Sequence, residues 1–236
     1  VINRFVFDVD GTLTPSRRTI DPEFKKFFNN FCRNNPVYLV TGSDRPKTIE
    51  QIGKDTYDLC YTVYHCNGND VWRGDKNIRK TDWHLKEKPH HWLSKRLTES
   101  KFPLRTGLHF EHRPGMCNFS IVGRNATLGE RKLYVEWDTK TNERIDIAES
   151  FNGLFPMLEA KVGGETGIDI SMKGLDKSQI MKDFDEDDEV WFFGDRCDEG
   201  GNDYPLAQVA DHFRHVTGWQ QTMEYLGYFQ DQGIAQ

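Results

Sequence analysis

Short apolar runs alternate with helical spacings over the first third of the chain. Phe5-Val6-Phe7, Val37-Tyr38-Leu39-Val40 and the stretch from Leu59 to Tyr64 read as buried strands. Between the first two, Asp21-Pro22 predicts an N-cap followed by proline at the first helical position. Phe24, Phe27, Phe28 and Phe31 then recur at the period of a helix with one aromatic face. A second helix carries Ile49 and Ile52 and stops at Gly53, and Asn67-Gly68 marks a turn after the third strand. Strand, helix, strand, helix, strand implies right-handed βαβ units and a parallel sheet.

From Thr81 to Met172 that alternation stops. A long helix is predicted from about His84 to Glu99, strands near Leu108–Glu111 and Cys117–Val122, and a helix presenting Ile147, Phe151, Leu154 and Phe155. Strands at Leu158–Val162 and Ile168–Met172 complete an antiparallel sheet with helices packed on it. A helix near Lys177–Phe184, the strand Glu189–Phe193, a helix near Tyr204–Ala210 and the strand Phe213–Val216 resume the first pattern. The predicted fold class is therefore α/β. A Rossmann-like parallel-sheet core of residues 1–80 and 173–236 is interrupted by an α+β cap of residues 81–172 built on an antiparallel sheet.

The ends of the parallel strands carry the candidate chemistry. Phe5-Val6-Phe7 runs into Asp8-Val9-Asp10-Gly11-Thr12, which puts two carboxylates at the edge of the sheet where open α/β folds bind ligands. Two acids aimed at one small volume repel unless a cation lies between them, which suggests magnesium and phosphate chemistry. The second strand ends in Thr41 and Ser43, whose hydroxyls suit phosphate oxygens. Lys177 opens a helix, against the preference of the macrodipole, and a bound anion would explain it. The strand Val190–Phe193 runs into Gly194-Asp195, Asp198 and Gly200-Gly201-Asn202-Asp203, a set of acids and glycines suited to a hard cation. Asp195 is the expected direct ligand, with Asp203 and Asp198 behind it or reached through water.

Charge and cysteine usage narrow the class further. The net charge of −6 argues against a partner held by a nucleic-acid backbone. Five cysteines, odd in number and without C-x-x-C spacing, point to a reducing compartment rather than a disulfide framework or a zinc site. No apolar run approaches the length of a membrane span and no signal-peptide pattern opens the sequence, so the expectation is a cytoplasmic protein without a membrane partner. The acidic run from Asp183 to Glu189 lacks the glycine and closing glutamate of a calcium loop and reads as a solvated turn.

These strand ends, in this order, resemble the haloacid dehalogenase-like superfamily with the larger α/β cap. Phe7-Asp8-Val9-Asp10-Gly11-Thr12-Leu13-Thr14, Gly42-Ser43-Asp44, Arg113-x-Gly115-Met116-x-Asn118, Gly123-Arg124, Gly163-Gly164, Asp176-Lys177, Phe192-Phe193-Gly194-Asp195 and Gly200-Gly201-Asn202-Asp203 resemble the eukaryotic-type phosphomannomutases over nearly the whole chain. The resemblance implies that Asp8 is a nucleophile forming an aspartyl phosphate, and that Asp10 is the general acid/base. It implies Mg2+ held by Asp8, Asp195 and the main-chain carbonyl of Asp10. Arg17 stands where the family touches substrate, and Arg113, Arg124 and Arg131 where cap arginines grip the distal phosphate. Asn118 lies in the same cap motif, and Asp169 is the family's contact to sugar hydroxyls. Three departures are Gly167 at a family serine, Thr41 at a family glycine, and His112-Arg113-Pro114 in place of an aromatic-Arg-Asn stretch.

The expected reaction is a Mg2+-dependent interconversion of mannose 6-phosphate and mannose 1-phosphate, with a hexose 1,6-bisphosphate as activator. The alternatives are a sugar-phosphate phosphatase of the same fold, favoured by Thr41 and Gly167, and a sugar-phosphate-binding protein with a decayed site. The resemblance also implies a homodimer formed through the cap.

Overall fold

The computed structural model describes residues 1–236, which fold as two compact units. One comprises Val1–Lys80 and Gly174–Gln236, the other Thr81–Lys173. No helix is long and apolar enough to cross a membrane.

The first unit is built on a seven-stranded sheet. In chain order its strands are β1 (Ile2–Phe7), β2 (Val37–Val40), β3 (Thr62–His65), β4 (Asp70–Arg73), β5 (Lys76–Lys80), β10 (Asp188–Gly194) and β11 (His212–His215), in spatial order β11-β10-β1-β2-β3-β4-β5. The first five of that row pair in parallel, whereas β3, β4 and β5 pair antiparallel. Alternate residues of the central strands feed two cores, as a pleated strand buried on both faces requires. Phe5, Phe7, Val37, Leu39, Trp191 and Phe193 join one core. Val6, Tyr38, Val40, Val190 and Phe192 join the other.

Helix α1 (Pro22–Asn34) covers the first face with Phe24, Phe28 and Phe31, and the Asp21 carboxylate accepts from the amides of Glu23 and Phe24 at its start. Helix α8 (Trp219–Asp231) covers the same face through Leu226 and Phe229. Helices α2 (Arg45–Ile52) and α3 (Lys54–Leu59) are separated by Gly53 at φ 83°. Leu59 thus closes a helix, and the third strand begins at Thr62 rather than at Leu59. A short apolar run does not distinguish the end of a buried helix from the start of a strand.

The second unit carries a four-stranded antiparallel sheet, β6 (Phe110–Arg113), β7 (Met116–Ser120), β9 (Gly167–Met172) and β8 (Leu158–Gly163), in that spatial order. Helices α4 (Glu87–Glu99), α5 (Leu128–Thr141) and α6 (Glu143–Leu154) bury Leu93, Tyr134, Ile147 and Phe151 against Phe119, Ile168 and Ile170. Together the two units give the expected mixed α/β architecture, parallel-dominated in one sheet and antiparallel in the other. Residues Lys177–Asp183 form a 3₁₀ turn rather than an α-helix, and a short helix α7 (Tyr204–Ala207) precedes β11.

Candidate active site

Three parallel neighbours place the chemistry at one edge of the first sheet. Asp8 follows the last residue of β1, Thr41 follows β2, and Asp195 follows β10. The Asp8 amide donates to the Phe193 carbonyl at 2.9 Å, which extends the β1–β10 ladder to the site itself. Gly11 lies at φ 75°, and a Cβ there would stand 2.2 Å from Asp195 Oδ2. Only glycine allows this turn to close over the acid.

A buried charge cluster occupies that edge. Lys177 Nζ donates to Asp8 Oδ1 and to Asp203 Oδ1, both at 2.7 Å. Lys177 and Asp203 are wholly buried, and Asp8 nearly so. Carboxylate oxygens of Asp8, Asp195 and Asp203 lie within 4.8 Å of one another. The amide of Arg196 donates to Asp203 Oδ2 at 3.0 Å, so the Asp203 carboxylate is held on both oxygens. Burial drives the Asp8 carboxyl well above its ordinary range; Lys177 opposes that rise, and the charge of Asp203 adds to it. Asp195 is raised too, first by burial and then by Asp203. Burial works against the Lys177 charge, yet Asp8 and Asp203 together hold its pKa above the usual lysine value.

Three carboxyl groups share one ammonium, and burial and their mutual repulsion raise Asp8 and Asp195. An all-oxygen donor set of this kind suits a hard divalent cation. The acids therefore fit magnesium, with Asp8, Asp195 and Asp203 as the side chains that would hold it.

Asp10 does not send its carboxylate into this cluster. Its Oδ1 accepts the Arg17 amide at 2.6 Å and Gln51 Nε2 at 2.7 Å. The two acids of the D-x-D string, expected in one small volume, thus have separate partners. The cause is the turn at Gly11, where Asp10 bridges to Thr14 instead of continuing the strand. Arg17 enters this arrangement through its main chain, at φ 59°, and its side chain is exposed. Asp198 also stands apart; it is exposed and faces His215 at 3.6 Å.

The loop after β2 is fixed by its own hydroxyl. Thr41 is buried, and its Oγ1 accepts the Ser43 amide at 3.1 Å. The Thr41 carbonyl accepts from the Asn67 amide and the Ser43 carbonyl from the Cys66 amide, which ties this loop to the end of β3.

The second unit groups several of its expected residues on neighbouring strands. Glu111, Asn118 and Asp169 occupy one rung across β6, β7 and β9. Asn118 Nδ2 donates to Asp169 Oδ1 at 2.6 Å, and Asn118 Oδ1 is buried without a partner. A Cβ at Gly167 would lie 2.4 Å from Asn118 Nδ2, so Asn118 fills the space a serine would need there. Glu111 accepts from Arg113 Nε at 3.0 Å and from Arg124 Nε at 2.5 Å, and these two arginines hold its carboxyl below the usual range against the cost of burial. Arg131, on α5, pairs with Glu165 at 3.5 Å. Glu111 and Gln51 do not stand out in the sequence as site residues. An i, i+2 spacing between Glu111 and Arg113 on a strand is a usable signal for the former. No local spacing links Gln51 to Asp10.

The family model described as eukaryotic phosphomannomutase matches residues 24–226. A phosphomannomutase of Oryza sativa subsp. indica is 33% identical over 229 residues, covering 93% of this chain and 92% of its own. That of Saccharomyces cerevisiae is 33% identical over 211 residues, covering 85% and 83%. Among solved structures, a sugar phosphatase of the HAD subclass IIB superposes with a TM-score of 0.58 at 16% identity, covering 98% of this chain and 99% of that one. Matched along most of its length by both comparisons of sequence, and carrying the fold of a haloacid dehalogenase-type enzyme, the chain belongs to the eukaryotic phosphomannomutase family.

Proposed function

We propose that this enzyme is a magnesium-dependent phosphosugar mutase interconverting mannose 6-phosphate and mannose 1-phosphate. The observation that carries the reading is the set of buried Asp8, Lys177 and Asp203 with half-buried Asp195 at the sheet edge of a chain in this family. Asp8 is the nucleophile. One of its carboxylate oxygens bonds to phosphorus as the ester oxygen leaves, giving an aspartyl phosphate. Lys177 keeps Asp8 oriented through its 2.7 Å contact and opposes the burial that favours the protonated acid. Magnesium, when bound, would neutralise charge on the phosphoryl oxygens.

Asp10 gives a proton to the departing sugar oxygen, then takes one from the attacking sugar hydroxyl when phosphate returns. A mutase must also bind the phosphate that is not being transferred. Arg113 and Arg124, with Nε engaged by Glu111, keep their terminal nitrogens for that task, and Arg131 is the third candidate. A hexose 1,6-bisphosphate would prime the cycle by phosphorylating Asp8.

The test is a coupled assay with mannose 1-phosphate, magnesium and glucose 1,6-bisphosphate. Mannose 6-phosphate should form with little free phosphate. Rapid phosphate release without isomerised sugar would replace the mutase with a phosphatase, and silence in both across a panel of sugar phosphates would leave a binding protein.

A further inference from the structure

Gln51 is a polar side chain with a fully buried position and no role in the chemistry described so far. It sits in the last turn of α2, 1% exposed. Its Nε2 is 2.7 Å from Asp10 Oδ1, 3.4 Å from Thr14 Oγ1 and 3.5 Å from the Arg18 carbonyl. Every neighbour of that nitrogen accepts, which sets the amide's orientation. Its Oε1 is then buried without a donor. The Gln51 main-chain carbonyl accepts the Ile20 amide at 2.8 Å, so side chain and backbone hold the same stretch of chain, from Asp10 to Ile20.

An orphaned buried carbonyl costs stability, and an apolar side chain of similar length would fill the place without that cost. Gln51 is therefore poorly explained by packing. Its contact to Asp10 supplies the missing reason. Asp10 Oδ1 receives two donors, Gln51 Nε2 and the Arg17 amide, while no donor of the protein meets Oδ2. The Arg17 amide reaches it from a left-handed backbone at φ 59°, a conformation disfavoured for arginine. Two fixed donors on one oxygen define the plane of the carboxylate and reserve the other oxygen for proton transfer.

We propose that Gln51 is the positioning residue of the acid/base Asp10, holding Oδ1 so that Oδ2 alone exchanges the proton with the sugar oxygen. This rests on the reading of Asp8 as nucleophile and Asp10 as acid/base. The proton moves between Asp10 Oδ2 and the sugar oxygen as that oxygen's bond to phosphorus breaks or forms; Gln51 neither gains nor loses a proton.

The test compares two phosphoryl donors on Gln51→Met and Gln51→Leu, with magnesium present. Acetyl phosphate has a leaving group that departs without protonation, whereas a sugar oxygen needs the proton. Phosphorylation of Asp8 by acetyl phosphate should stay within about twofold of the parent chain. Mutase kcat should fall by about 10²-fold, the lower end of what general acid–base catalysis supplies, with KM within about twofold. The thermal midpoint should be unchanged or higher, since the orphaned carbonyl has gone. Retained mutase turnover, or equal losses with both donors, would overturn the inference and leave Gln51 a packing residue. A parent chain that accepts phosphate from neither donor would instead overturn the nucleophile reading on which this rests.

Discussion

Lys177 shows most clearly what a single side chain does in this molecule. Its ammonium is wholly buried between Asp8 and Asp203, and each contact is 2.7 Å long. Moving a charge out of water is expensive, and the two carboxylates recover that cost only while all three groups stay together. Replacing Lys177 with Met should therefore destabilise the metal-free protein by about 3–5 kcal/mol, the usual penalty for removing one member of a buried pair. Urea unfolding of both proteins measures it, and a loss below about 1 kcal/mol would mean that the acids relax by taking up protons. The residues of this cluster differ in how readable they are. Asp8 and Asp195 stand directly after apolar runs, where a strand end predicts an exposed edge. The engagement of Lys177 with Asp203 joins positions 26 residues apart in sequence, and that of Gln51 with Asp10 spans 41. Neither leaves a local pattern.

At the scale of elements, His65 ties the end of β3 to two helices. Its Nε2 meets the Tyr57 hydroxyl of α3 at 2.8 Å and its Nδ1 the Thr48 hydroxyl of α2 at 3.2 Å. Thr48 donates its own proton to the Asp44 carbonyl at 2.9 Å, so His65 Nδ1 is the donor to Thr48 and Nε2 accepts from Tyr57. Burial pushes the imidazole pKa down to about 4 despite the nearby Asp70. Unfolded, the same ring titrates near about 6.5. The unfolded chain then binds a proton that the fold refuses, and the stability held above about pH 6.5 is lost as pH falls through the folded value. The gap corresponds to about 3 kcal/mol. Denaturant unfolding at pH 7 and pH 4.5 should show His65→Gln losing less stability on acidification than the parent; equal slopes would remove the assignment.

The elements that escaped sequence reading share a physical reason. β5 is a charged, mostly exposed edge strand, Lys76-Asn77-Ile78-Arg79-Lys80, with no buried face to impose alternation. Helix α5 buries only Tyr134, too little for a helical period, although Thr127 and Glu130 form a capping box at its start. Helix α1, with four buried residues on one face, is plain in the sequence.

Over the whole molecule, the two units carry separate cores, and the interruption of βαβ alternation after residue 80 is the trace of that organisation in the sequence. The parallel unit collects at one sheet edge a cluster of three acids sharing one ammonium and, on the adjoining turn, a carboxylate held by Gln51 and Arg17. The antiparallel unit offers arginines braced by Glu111. Covalent capture of phosphate by Asp8, as proposed, would give each of these features its use. It is tested by incubating the enzyme with magnesium and glucose 1,6-bisphosphate, quenching in acid, reducing the acyl phosphate with borohydride and mapping the peptides. Conversion of Asp8 to homoserine, absent in Asp8→Asn, is the predicted result; reduction at another residue, or at none while mutase turnover continues, would contradict the account.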